Sequence, residues 1–307
     1  MSNLLRNNLP DLYLSTALPF IEKVIQEEFE EYPKVYEQVF NVGDMSNGIA
    51  QHTQVSSLSA AGIVGEAEEI PQSRIRQGYS KTYIAQKYGI MLATSQEAID
   101  DEKYSVIAAN PRRLARAMVS AQEISAAAVL NGGFSDTGPD GVSLFNTAHP
   151  SLVPGALNSS NRLAIAADLS ITSLKDLITV YMKQLDTAGN RIMIKPTKLV
   201  VPQELSYLAY ELTNSVMLPE GNQNNVNSVG PQGMLMLAPV VWQYLTDTDA
   251  FFLAGEKSDH ELHFMFAQRM EIATQEEFKT QVALTRCTAR WVASYSDWRG
   301  ICGSPGA

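Results

Sequence analysis

The stretch that most constrains this chain runs from Asn110 to Asn131, with one proline near its start and no glycine. Asn110 suits an N-cap, because its side-chain oxygen can accept from the free amides of a first turn. Pro111 suits N1, where its missing N–H costs nothing and its fixed φ already fits a helix. The spacing predicts a helix over 111–131. Leu114, Met118, Ala121, Ile124 and Ala128 recur on one face, and Arg112, Arg116, Ser120 and Glu123 form a polar stripe on another. Gly132-Gly133 is read as the stop, since glycine takes the left-handed C′ conformation without a Cβ clash. At about 1.5 Å per residue the rod is roughly 30 Å long. Its alanines (Ala115, Ala117, Ala121, Ala126, Ala127, Ala128) suit the close approach of a sheet.

Upstream, Thr94-Ser95-Gln96-Glu97 has the form of a capping box, which predicts a short helix before the long one with Asn110-Pro111 at the joint. Between them lies an acidic segment, Asp100-Asp101-Glu102-Lys103-Tyr104. Downstream come turns and then Gly141-Val142-Ser143-Leu144-Phe145-Asn146-Thr147-Ala148-His149-Pro150.

The acidic segment, Pro-started alanine-rich helix, glycine stop and Gly-Val-x-Leu-Phe-x-x-x-His-Pro together resemble the major capsid proteins of tailed bacteriophages and prophages, and especially the Mu-like major head subunits. The resemblance is most specific over residues 94–150. Elsewhere it rests on the order and size of segments. It implies an α+β Hong Kong 97 fold. Residues 1–42 would be an N-terminal arm and 43–94 an extended hairpin (the E-loop). Residues 95–168 and 256–307 would form the peripheral domain, with its spine helix at 111–131, and 169–255 the axial domain. Many such relatives carry a long N-terminal scaffolding segment. This chain begins almost directly with the arm, which implies a separate scaffold protein or a missing segment. The Lys and Asn that some relatives crosslink match no positions here, so the resemblance assigns no crosslinking residues.

Composition narrows the function classes. With 307 residues, 45% of them hydrophobic and 18% charged, the chain has enough material for one large or two modest domains. A net charge of −10 argues against a surface that grips nucleic acid, which needs clustered Lys and Arg to neutralise phosphates. No apolar run approaches the ~18 residues that span a bilayer, and no signal-peptide h-region is visible. Cys287 and Cys302 fit no metal-ligand spacing and read as free or buried thiols in a reducing compartment, with a disulfide as the alternative.

A helix is expected from Ser15 or Thr16 to about Glu31, ended by Pro33, and Val35–Val42 reads as strand. The acidic run Glu27–Glu31 is read as a solvated face, or else as a contact with a basic patch on a neighbouring subunit. From Gly43 to Tyr79 the chain is rich in Gly, Ser, Gln and Glu and carries no sustained period. So long a stretch is uncommon inside one compact domain, and it is expected either to be disordered or to be ordered by something outside the subunit. Tyr79–Thr94 alternates like a strand. Helices from Ser173 to about Leu185 and from Glu204 to Thr213 alternate with strands at 198–202, 234–239 and 251–254. The chain ends in strands beginning near His263, Gln281 and Ala289.

The search for chemistry finds no catalytic, cofactor or metal site. His260-Glu261-Leu262-His263 is one residue short of the metalloprotease spacing, and on a strand its two histidines point to opposite faces. His149 with Asp136, Asp140 and Ser143 invites a hydrolytic triad, but no Gly-x-Ser-x-Gly accompanies it. It is read instead as a ring whose nitrogens tie down the hairpin after the long helix. Asp136 and Asp140 lack the terminal Glu of a calcium loop. Trp242, Trp291 and Trp298 are read as core or interface.

A chain with no catalytic signal and a long unsupported excursion is expected to assemble. The expected function is structural: a major capsid protein forming hexamers and pentamers of an icosahedral head around double-stranded DNA. It would assemble in the host cytoplasm and reside in the virion. Its partners would be copies of itself, a scaffold, a portal and decoration proteins, with DNA enclosed but not specifically bound, and no membrane. Expected intersubunit contacts are Glu66, Glu68, Glu69, Arg74, Arg76 and Lys81, along which the charge changes from acidic to basic. An encapsulin-like shell or another virion protein is the alternative, and a hydrolase using His149 a remote third.

Overall fold

The computed structural model describes residues 18–307 apart from 59, 71, 73–74, 96–104, 152–157, 218–225, 232 and 278–281. In chain order the elements are α1 (Leu18–Glu31), α2 (Tyr36–Val39), β1 (Asn41–Asp44), β2 (Ile49–Val55), β3 (Gln77–Ile84), β4 (Gln86–Ser95) and α3 (Ser105–Asn131). There follow α4 (Ile171–Met182), β5 (Lys198–Val201), α5 (Ser206–Asn214), β6 (Ala238–Val241), β7 (Phe251–Ala254), β8 (Leu262–Glu277), β9 (Val282–Tyr295) and β10 (Ile301–Ser304).

The long helix α3 starts earlier than the sequence predicts, so Asn110 and Pro111 lie inside it and not at its cap. A proline in the second turn removes one backbone bond and crowds the carbonyl four residues back. The turns on either side carry the helix through. Thr94 is likewise no cap: it pairs with Ala283 in β4, while Glu97 lies outside the described residues. Val35–Val42, expected as strand, is the short helix α2 followed by β1.

The buried stripe of α3 is rotated from the expected one. Leu114, Ala115, Met118, Val119, Gln122, Glu123, Ala126, Ala127 and Leu130 are buried, whereas Ile124 is 54% exposed and Ala128 is exposed. Glu123 leaves the polar stripe because its carboxylate caps α2. Its Oε1 accepts from the amides of Val35 at 2.6 Å and Tyr36 at 3.3 Å. The glycine stop also works differently. Neither Gly132 nor Gly133 has a positive φ. A Cβ on Gly132 would lie 2.1 Å from Asp136 Oδ2, and one on Gly133 2.6 Å from the Phe145 ring. These glycines give room for the returning chain.

The first sheet has the order β1-β8-β9-β4, with β1 parallel to β8 and the other pairs antiparallel. Alternate residues point inward, so Phe264 and Phe266 of β8 and Cys287, Ala289 and Trp291 of β9 share one core with the α3 alanines and with Ile25 of α1. Tyr88 of β4 stacks on Trp291 with centroids 4.0 Å apart. A fully buried side chain of this size contributes about 1.5–3 kcal/mol. Glu28 of α1 closes the outer edge against α3, accepting from Arg116 Nε at 2.7 Å. The acidic run thus makes a basic contact within its own chain.

The second sheet, β10-β7-β5-β6, is covered on both faces, which explains its unbroken apolar strands. Val200, Phe252 and Ile301 face the α3 core. Leu199, Val201, Phe251, Leu253 and Cys302 face a second core with α4 and α5. Ser170 caps α4 in a capping box with Ser173, three residues ahead of the expected start. The last strand, β10, joins this second sheet through β7 and not the sheet beside the long helix. The cysteines are buried and unbonded, one in each core.

Candidate functional site

Two features stand apart from the cores. One is an arm: the antiparallel hairpin β2–β3, which forms its own two-stranded sheet. The other is the strap of turns that returns from the end of α3.

Pairing in the arm runs from Ile49 opposite Ile84 to Val55 opposite Gln77. Its root is seated on its own subunit, contrary to the expectation of a wholly unsupported excursion. Tyr83 donates its hydroxyl to Tyr295 O at 2.7 Å, and Gln54 Nε2 donates to Asp297 Oδ2 at 2.7 Å. The Ser57 amide donates to Thr187 Oγ1 at 2.6 Å, and Asn190 Nδ2 to Leu58 O at 3.3 Å. Burial pushes the Tyr83 phenol up to about 12, against its bond to Tyr295. It therefore stays a donor.

Beyond Leu58 support ends. Among the described residues of the tip, Ile63, Ile70 and Ile75 are 104%, 74% and 65% exposed. Glu66, Glu68 and Glu69 lie together and exposed near one tight turn, where Glu68 Oε2 accepts from the Gly65 amide at 2.9 Å and Ala67 takes a φ of 66°. The basic residues are elsewhere. Arg76 is exposed near the start of β3, Arg74 lies outside the described residues, and Lys81 donates to Thr137 O at 2.7 Å in its own chain. The acidic turn thus lies in the tip, Arg76 at its junction with β3, and Lys81 on the seated part of the hairpin.

The strap is organised by His149, which is 1% exposed. Its Nδ1 lies 2.6 Å from Asp140 Oδ2 and its Nε2 3.0 Å from Asn161 Oδ1. Asn161 is oriented by its own amide, which donates to Leu144 O and Trp298 O. Ser143 Oγ donates to Phe145 O instead of approaching the ring. A triad needs a free Nε2 beside a nucleophile. Here that nitrogen faces an amide oxygen, and Trp298 covers the ring face. The signature ends in a packing device. Asn161 is the member that sequence reasoning missed, because it sits in a polar run, Asn158-Ser159-Ser160-Asn161, that carries no motif of its own. Among the described residues no group of three or more His, Cys, Asp or Glu is arranged to hold a metal ion.

A family described as phage capsid protein matches residues 78–303, from the root of the arm to the last strand. The chain belongs to that family. No curated protein sequence matches it. Among solved structures, the capsid of the cyanophage P-SCSP1u superposes with a TM-score of 0.60 at 11% identity, covering 90% of this chain and 88% of that one. A chain of Microbacterium phage Oxtober96 gives 0.57 at 13%, covering 89% and 91%. The capsid of bacteriophage JBD30, described as decorated with minor capsid protein trimers, gives 0.51 at 16%, covering 69% and 91%. The capsid protein has the Hong Kong 97 fold of phage major capsid proteins and is a structural component of the virion.

Proposed function

We propose that this capsid protein closes into hexamers and pentamers of an icosahedral head around double-stranded DNA, with the arm's tip lying on a neighbouring subunit. In this reading residues 1–42 are the N-terminal arm and 43–94 the extended hairpin. Residues 95–168 and 256–307 form the peripheral domain, and 169–255 the axial domain. The supporting observation is the tip itself: isoleucines exposed on a hairpin whose root is tightly seated are a surface a lone monomer rarely presents. An overlapping arm adds area beyond the ~1,600 Å² of a standard interface.

The acidic turn at Glu66, Glu68 and Glu69 complements the exposed Arg113 of α3 on the adjacent copy, beside Arg112 and Arg116, which already pair with Glu28 of their own chain. A net charge of −10 suits a wall that encloses DNA without gripping it. A scaffold protein, a portal and decoration proteins complete the set of partners. The role is structural and not catalytic, in keeping with the closed environment of His149.

The triple variant Glu66→Arg, Glu68→Arg, Glu69→Arg tests the arm. It should abolish shells seen by electron microscopy while leaving the subunit's circular dichroism unchanged. Normal shells from that variant contradict the contact.

A further inference from the structure

At the arm's root two imidazoles lie face to face. His52 of β2 and His263 of β8 stack with centroids 4.7 Å apart and an interplanar angle of 6°. Their positions are 211 residues apart in the chain, and between them they join the arm to an inner strand of the first sheet. We propose that the His52–His263 stack is a proton-sensitive latch, which holds the arm on its own subunit while both rings are neutral and releases it when they are protonated.

Three observations carry this. First, like charges 4.7 Å apart repel, whereas neutral aromatic rings at that spacing attract. Secondly, His52 Nε2 is buried without a hydrogen-bond partner, so a charged ring there has lost water at that nitrogen without gaining an acceptor. Thirdly, the hydrogen bonds in the rest of the seat are single ones, to turns at Thr137, Thr187, Asn190 and Asp297 and to Tyr295 at the end of β9. A modest repulsion can therefore tip the balance.

The surroundings decide the sign. From β3, Lys81 stands opposite His52 in register, and the Tyr83 ring meets His52 edge-on at 6.0 Å. From the start of β8, Glu261 favours protonation of both rings, but its Oε2 is bonded by the Ser296 hydroxyl. Ser296 Oγ also lies 3.4 Å from His263 Nε2. His260, next along, is itself pushed down to about 4 by burial and by Lys198. Burial lowers both His52 and His263 from their ordinary value, and His52 lowers His263 further. Released, both rings return toward about 6.5. Seating is therefore strongest above that value and is lost as the pH falls below it. While the seated rings resist protonation, each lost proton-binding site weakens seating about tenfold per pH unit, or about a hundredfold for the pair.

The latch concerns the arm's seat on its own subunit, so its test is independent of what the tip touches. Hydrogen–deuterium exchange of the full chain, corrected for intrinsic rates, is followed in β2 and β3 from pH 7.5 to 5.0. The wild type should lose protection there, while β5 and β7 keep theirs. His52→Phe, which keeps a stacked ring that cannot titrate, should halve the logarithmic slope, and His52→Phe with His263→Phe should flatten it. Unchanged protection of the arm in the wild type overturns the proposal. So does a loss shared equally by β5 and β7, or an unaltered slope in His52→Phe, a variant that stands even where the double one does not fold.

Discussion

The imidazole of His149 lies flat against the indole of Trp298, with centroids 4.1 Å apart and an interplanar angle of 10°. Its edge is held by Asp140 and Asn161. One ring thereby fastens the turn after α3, the strand-like bridge at 159 and the turn before β10. His149→Ala leaves the Asp140 carboxylate, whose side chain is 8% exposed, without its partner. Leaving a buried polar group without its hydrogen-bond partner costs about 1–3 kcal/mol. Urea unfolding of the unassembled subunit should show a loss of that size. A loss below about 1 kcal/mol would mean the ring is a passenger and not a fastener.

Glu123 makes a pH prediction of definite sign. Burial raises its carboxyl above the ordinary 4.5, against the two amides of α2 that favour the ionised form. The folded state therefore holds this proton more tightly than the unfolded chain. Its contribution is full below about 4.5 and declines as pH rises through the raised value. Glu123→Gln keeps an oxygen for both amides and removes the titration. The stability of the wild type relative to Glu123→Gln should fall between pH 4.5 and 8, measured by denaturant midpoints. A difference that stays flat or rises contradicts the assignment.

The two thiols should be silent in the folded protein. Burial pushes Cys287 up to about 11 and Cys302 higher still, and thiolate is the reactive form. A disulfide-exchange reagent at pH 8 should modify neither within hours and both at once after unfolding. Fast labelling of either thiol in the native state would place it outside the core described above.

The basic end of the hairpin carries a further expectation. Arg76 is exposed, and the backbone beside it is fixed by two bonds with Ser56, so its charge can be reversed without disturbing the strand. The variant Arg74→Glu, Arg76→Glu should remain folded by circular dichroism and fail to form shells. Shells in normal yield would remove these arginines from the contact.

What the sequence showed and what it hid have physical reasons. The helix to Asn131, the strands at Lys198 and Phe251 and the role of His149 are legible because each depends on near neighbours or on an unbroken apolar run. Strand β2 was hidden because its inward positions are Ala50, His52 and Gln54, while Ile49 and Val55 point outward at 54% and 59% exposure. That reverses the usual alternation. Glu123 was misplaced because its partners, Val35 and Tyr36, lie nearly ninety positions away. The His52–His263 stack is hidden for the same reason: no local pattern records a contact between distant segments.

Electron microscopy of the purified full chain across a concentration series tests the central claim most directly. Closed shells, or rings with fivefold and sixfold symmetry, are predicted, with residues 59–76 protected from protease only in the assembled form. A monomer at every concentration whose 59–76 segment is already protease-resistant would contradict the account, because the arm would then have no need of a neighbour.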